Sequence, residues 1–244
     1  MKSAFLILLF SGALPLAAAE LRVAAAASLK ETVTDVAAAF ERAHGIRVIQ
    51  IFAGSNVLAR QISEGAPIDV FISADEATIA KLEVAGDVGK ATPLLTNELV
   101  VVVPKESARV MRSTTEILGF DRIAIGDPVA VPAGVYAKAW LDEVGLWERM
   151  GSKCIGCENV RAALATVEAG NTDAAIVYKT DAAISAKVRM VWTAPVTEAP
   201  AVVYPVAVCK NSKRPAEAER FVDFLKSEEA GKIFTTAGFG LAEK

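Results

Sequence analysis

Four stretches of this chain run from an apolar segment through a small or polar residue into the start of an amphipathic one. In AAAASLKE, Ser28 and Glu31 stand at the spacing of a capping box, S-x-x-E. IFAGSNVLARQI brings Ser55 and Asn56 to the same kind of junction. In GDPVAVPAGVYAKAWL, Pro132 suits a first helical turn, with Ala133 and Gly134 behind it. ENVRAALATVEAG offers Asn159 as a cap and Val160 in the first turn. The chemistry open to such junctions is anion binding. A helix start presents unpaired backbone N–H groups and the positive end of the helix dipole. An anion held there needs no counter-charge. Each hydrogen bond to a charged ligand is worth about 1.5–3 kcal/mol, so several converging on one cleft hold a small dianion. Taken singly, each junction is an ordinary strand end of an α/β protein, and spacing alone does not bring the four together.

Other chemistry has little to work with. The chain has one histidine, His44, read as exposed at a helix end beside Gly45, and it has neither G-x-S-x-G nor H-E-x-x-H. Asp69, Asp75, Asp127 and Asp173 sit at loop edges with nothing to fix them near one another. Arg60, Arg161 and Lys179 read as solvated, and Tyr178, closing AAIVY, as a core or rim tyrosine. The 26 basic and 29 acidic residues give a net charge of −3, with no basic cluster, which argues against nucleic acid or an anionic membrane as partner.

The elements that must position these residues alternate. Apolar, β-branched runs at 21–27, 46–52, 68–73, 98–103, 122–125, 174–178, 188–192 and 202–208 read as strands. Amphipathic stretches at 29–43, 56–64, 77–85, 133–144, 160–169 and 215–234 read as helices, so the fold class is α/β with mostly parallel strands. Two long extended segments, LLTNELVVVVPK and VVYPVAVC, bracket one α/β block and suit a two-strand hinge between lobes. Residues 1–19 read as a cleaved export signal, with Lys2, an apolar run from Ala4 to Phe10, and Ala17 and Ala19 ahead of Glu20. Export makes a disulfide between Cys154 and Cys157 of KCIGCENV the default pairing, and leaves Cys209 as a buried free thiol.

At the four junctions the chain resembles the periplasmic molybdate-binding proteins of ABC transporters. The resemblance is carried by VAAAASL, FAGSNVLARQISEGAPIDVFISAD, ELVVVVPK, IAIGDPVAVPAGVYAKAWL, ENVRAALATVEAG, AAIVYKTDA and YPVAV, in order from about residue 21 to about 240. It implies a type II periplasmic-binding-protein fold: lobe I over 20–98, lobe II over 99–200, and a return to lobe I over 201–244. It implies that Ser28 and Ser55 each offer a backbone N–H and a hydroxyl, that Ala133 and Val160 offer backbone N–H groups, and that Tyr178 offers its phenol. Molybdenum would be bound only as the oxyanion, molybdate or tungstate, with no protein ligand on the metal and no cofactor. The resemblance further implies a monomeric carrier, not an enzyme, delivering its ion to a membrane permease driven by a cytoplasmic ATPase. Two departures stand out: FAGSN has fewer serines than the family pattern, and the C-x-x-C lies directly ahead of Val160.

A site of donors alone suits a fully deprotonated tetrahedral dianion. Hydrogen phosphate would leave its own O–H unpaired or force a hydroxyl to turn round, at a cost of about 1–3 kcal/mol. Sulfate satisfies the same donors, so a sulfate-binding protein of this fold stays open as the alternative. With no basic ligand, salt should affect binding little.

Overall fold

The computed structural model describes residues 20–242, so the export signal read over 1–19 lies outside them. Two sheets organise the molecule. The first has six strands in the order β11-β4-β10-β3-β1-β2: β1 (Glu20–Ala26), β2 (Arg47–Ala53), β3 (Val70–Ile72), β4 (Thr92–Asn97), β10 (Val202–Val208) and β11 (Gly240–Leu241). The second has five in the order β7-β6-β8-β5-β9: β5 (Leu99–Pro104), β6 (Ile123–Gly126), β7 (Cys154–Cys157), β8 (Ala174–Tyr178) and β9 (Val188–Thr193). The helices between them are α1 (Lys30–His44), α2 (Ser55–Ser63), α3 (Glu76–Ala85), α4 (Pro132–Glu143), α5 (Trp147–Met150), α6 (Val160–Glu168), α7 (Lys179–Ala183), α8 (Pro215–Leu225) and α9 (Glu228–Thr236).

The sheets are mixed rather than mostly parallel. β1 runs parallel to β2 and β3, and β6 parallel to β7 and β8, as strand–helix–strand units require. The antiparallel members β4, β10, β5 and β9 flank the two passages of chain from one sheet to the other. Alternation of strands and helices reports only the parallel units, so these passages leave no trace in it. LLTNELVVVVPK is accordingly two strands, split at Glu98, each in a different sheet.

Packing explains the helices. In α1, Val33, Val36, Ala37 and Phe40 are fully buried on one face, and Gly45 ends the helix at φ +66°, a left-handed position that favours glycine. The stretch 215–234 is broken, because Ser227 caps α9 by accepting the Ala230 N–H at 3.2 Å. The main core runs from Leu21 and Phe40 through Val100–Val103 to Trp140 and Phe221, and a smaller cluster around Leu58, Phe71 and Ile79 lies under α2 and α3.

The disulfide expected between Cys154 and Cys157 is absent, since both thiols are free. They lie at the two ends of β7, three residues apart along a strand. At ~3.3 Å per residue that separation is ~10 Å with the side chains on opposite faces, beyond disulfide reach. Cys209 is buried and free as expected, and burial pushes its thiol up to about 12.

Candidate functional site

The C-terminal ends of β1, β2 and β8, with the starts of α4 and α6, surround a small cavity of about 220 Å³ of empty space. Ser28, Ser55, Ala133, Val160 and Tyr178 all line it, together with Gly54, Ala74, Pro132 and Asn159. The first sheet supplies the two serines and the second sheet supplies the other three. None of the lining residues carries a charge.

Each junction is built differently from a simple cap. Ser28 does not form the capping box with Glu31; it sits within a short 3₁₀ turn, Ala27–Leu29, ahead of α1. Its hydroxyl instead meets the Tyr204 hydroxyl at 3.2 Å. Ser55 opens α2, with Gly54 at the cap position, and its Oγ accepts the Ala74 N–H at 2.9 Å, keeping its own proton to give. Asn159 does cap α6, accepting from the Ala162 N–H at 2.9 Å, which leaves Val160 in the first turn with its N–H free of intrahelical bonding. Pro132 opens α4 and Ala133 follows it, buried against the cavity. Gly134 explains the rest of that motif: a Cβ there would collide with the Gly126 carbonyl, so only glycine lets α4 start this close to β6.

Tyr178 is 1% exposed and its hydroxyl has no partner. Burial, with smaller contributions from Tyr204 and Tyr136, holds this phenol well above its ordinary value, so it remains a protonated donor. A partnerless buried hydroxyl facing a cavity of free N–H groups marks a place where an acceptor belongs.

Sequence reasoning missed Tyr204 and Asn97. Asn97 Oδ1 accepts the Glu98 N–H at 2.9 Å, and its Nδ2 donates to Thr180 Oγ1 at 2.9 Å and to the Tyr204 hydroxyl at 3.3 Å. Ser28 and Tyr204 are 176 residues apart, so no local pattern could have found the pair.

Arg161 is not solvated, contrary to expectation. It holds the fully buried Asp181 through Nε, reaches Glu31 at 2.6 and 3.1 Å, and donates to the Ser28 carbonyl at 3.2 Å. Asp181 shares its side of the cleft, whereas Glu31 and Ser28 belong to the other. Burial outweighs the attraction of Arg161 and pushes the Asp181 carboxyl up to about 6. Burial also works to raise Glu31, but the hydrogen bond from Arg161 and its charge bring that carboxyl below its ordinary value. Lys179 pairs with Glu98 at the crossing, and Arg60 is exposed. His44 is exposed and packs against Phe40, ring centroids 4.6 Å apart. Asp69, Asp75, Asp127 and Asp173 each hold nearby backbone N–H groups and do not form a carboxylate pair. Among the described residues no group of three or more His, Cys, Asp or Glu is arranged to hold a metal ion.

Two α/β lobes, two chain crossings and a cleft between strand ends define a two-domain binding protein of the type II fold. A model of the bacterial extracellular solute-binding proteins matches residues 21–240, and the chain belongs to that family. It is 41% identical over 228 residues to the molybdate-binding protein ModA of Escherichia coli, covering 90% of this chain and 88% of that one. It is 34% identical over 231 residues to the Haemophilus influenzae ModA, covering 91% of each. The solved periplasmic molybdate-binding protein of Azotobacter vinelandii superposes with a TM-score of 0.81 at 25% identity, covering 91% of this chain and 100% of that one.

Proposed function

We propose that this protein captures molybdate or tungstate in the periplasm and hands it to an ABC transporter permease driven by a cytoplasmic ATPase. Ser28, Ser55, Ala133, Val160 and Tyr178 are the ligand residues in this reading. One observation carries it: residues from both lobes line a single uncharged cavity in which the Tyr178 hydroxyl lacks an acceptor. The names of the relatives supply the choice of oxyanion. Lobe I (20–98 and 201–244) and lobe II (99–200) turn about the crossings at Glu98 and at 194–201, and closure buries the ion. The protein acts as a monomeric carrier and performs no turnover.

Tryptophan fluorescence of the mature protein, titrated with molybdate, tungstate, sulfate and phosphate, tests this. Trp140, Trp147 and Trp192 all lie in lobe II, with Trp140 fully buried and Trp192 partly so, and closure perturbs at least one of them. Saturable responses to molybdate and tungstate alone support the reading. A response to sulfate in preference keeps the mechanism and changes the substrate. Silence toward all four anions, repeated by calorimetry, removes the reading.

A further inference from the structure

We infer that Asn97 and Tyr204 form a polarised hydrogen-bond relay that fixes the Ser28 hydroxyl as a donor toward the cavity and thereby excludes oxyanions that carry a proton. The inference rests on the function proposed above and adds a specificity device to it.

Proton directions follow from who can give. Asn97 Oδ1 is committed to the Glu98 N–H, so the amide cannot be turned over without losing that bond, and its two Nδ2 protons point at Thr180 and Tyr204. The Tyr204 oxygen therefore accepts. Tyr204 is fully buried, and the Ser28 Oγ at 3.2 Å is its other hydroxyl neighbour. Burial holds the Tyr204 phenol well above its ordinary value, so the proton is present and must be placed. Given to Ser28, it leaves every member satisfied and leaves Ser28 with its own proton to direct into the cavity. In the reverse direction Ser28 would donate to Tyr204, and a buried phenolic proton would go unpaired, which structures avoid.

The consequence concerns hydrogen phosphate and dihydrogen phosphate, which must donate at least one proton to the site. Without the relay, a serine hydroxyl rotates freely and accepts that proton. With the relay intact, Ser28 can take that proton only on its remaining lone pair, and its own proton must then turn away from the anion and lose its acceptor. Molybdate and sulfate carry no proton at neutral pH and do not meet this barrier, so the relay separates protonated from unprotonated oxyanions irrespective of size.

Two variants test it by calorimetry against molybdate, sulfate and phosphate at pH 7. Tyr204→Phe keeps the ring packing and frees Ser28 to turn. Asn97→Asp replaces the donor by an acceptor: Tyr204 then donates to residue 97, Ser28 donates to Tyr204, and Ser28 presents a lone pair to the cavity. Phosphate should gain on molybdate about tenfold or more in Asn97→Asp and by less in Tyr204→Phe. The sulfate-to-molybdate ratio should stay unchanged in both. If the residues only support packing, all three anions weaken together with the phosphate ratio unmoved, and the relay is refuted. It is equally refuted if sulfate gains as much as phosphate. Wild-type protein that binds no oxyanion would instead overturn the function proposed above, and the relay with it.

Discussion

Tyr178 holds a hydroxyl in the cavity with no protein acceptor for its proton. Tyr178→Phe should therefore weaken oxyanion binding about tenfold. Titration calorimetry with molybdate reads the loss, and an unchanged affinity would refute a ligand role for this hydroxyl. Ser55→Ala and Ser28→Ala each remove one hydroxyl donor and should weaken binding by roughly 1–3 kcal/mol in titration calorimetry. Asp181 gives a pH signature. Its folded-state pKa, raised from 3.8 to about 6, means the folded protein binds the extra proton, so its contribution to stability falls as pH rises between about 4 and 6 and is level above. Denaturation of wild type against Asp181→Asn should show that difference, on the order of 2–3 kcal/mol across the window. At this scale the sequence displayed Ser28, Ser55, Ala133 and Val160 because helix starts have local signatures. It concealed Asn97, Tyr204 and Arg161 because their roles are set by partners on the far side of the chain.

Two glycines decide how closely elements approach. Gly134→Ala drives a Cβ into the Gly126 carbonyl and should displace α4 from β6, with loss of both stability and binding. Gly54 acts between the lobes: a Cβ there would lie 2.9 Å from the Glu158 carbonyl and 2.6 Å from Asn56 Oδ1. Gly54→Ala should therefore leave the melting temperature of the ligand-free, open protein near wild type while reducing the ligand-induced rise; thermal melts with saturating molybdate check this. The glycine in FAGSN, which as a sequence looks like a missing hydroxyl, reads in the structure as clearance for closure. Periodicity locates the long helices within a residue or two, since burial of one face determines both pattern and extent. It fails at β7, where the cysteine pair invites a disulfide, and at the α8–α9 break, where the Ser227 cap interrupts an otherwise continuous apolar stripe.

Across the whole molecule, Arg161 and Asp181 face Glu31 and the Ser28 carbonyl over the cleft, so this contact exists only while the lobes are together. Glu31→Gln keeps the Arg161–Asp181 pair and weakens the link between lobes, so it should speed oxyanion release severalfold with little change in capture rate. Stopped-flow fluorescence separates the two rates. Glu31 is 48% exposed, so salt should shorten ligand residence in wild type and have less effect in the variant. That dependence enters at the rim, whereas the sequence, with no cation among the proposed ligands, predicts weak salt dependence. The lining has a different consequence for the heat of binding. Its side chains are uncharged and Tyr178 keeps its proton, so an ion captured already deprotonated draws no proton from the protein and returns none. The enthalpy measured in phosphate-free buffers of very different ionisation enthalpy, such as Tris and cacodylate, should then be the same, and the occupied protein should move faster toward the anode by the ion's full double charge.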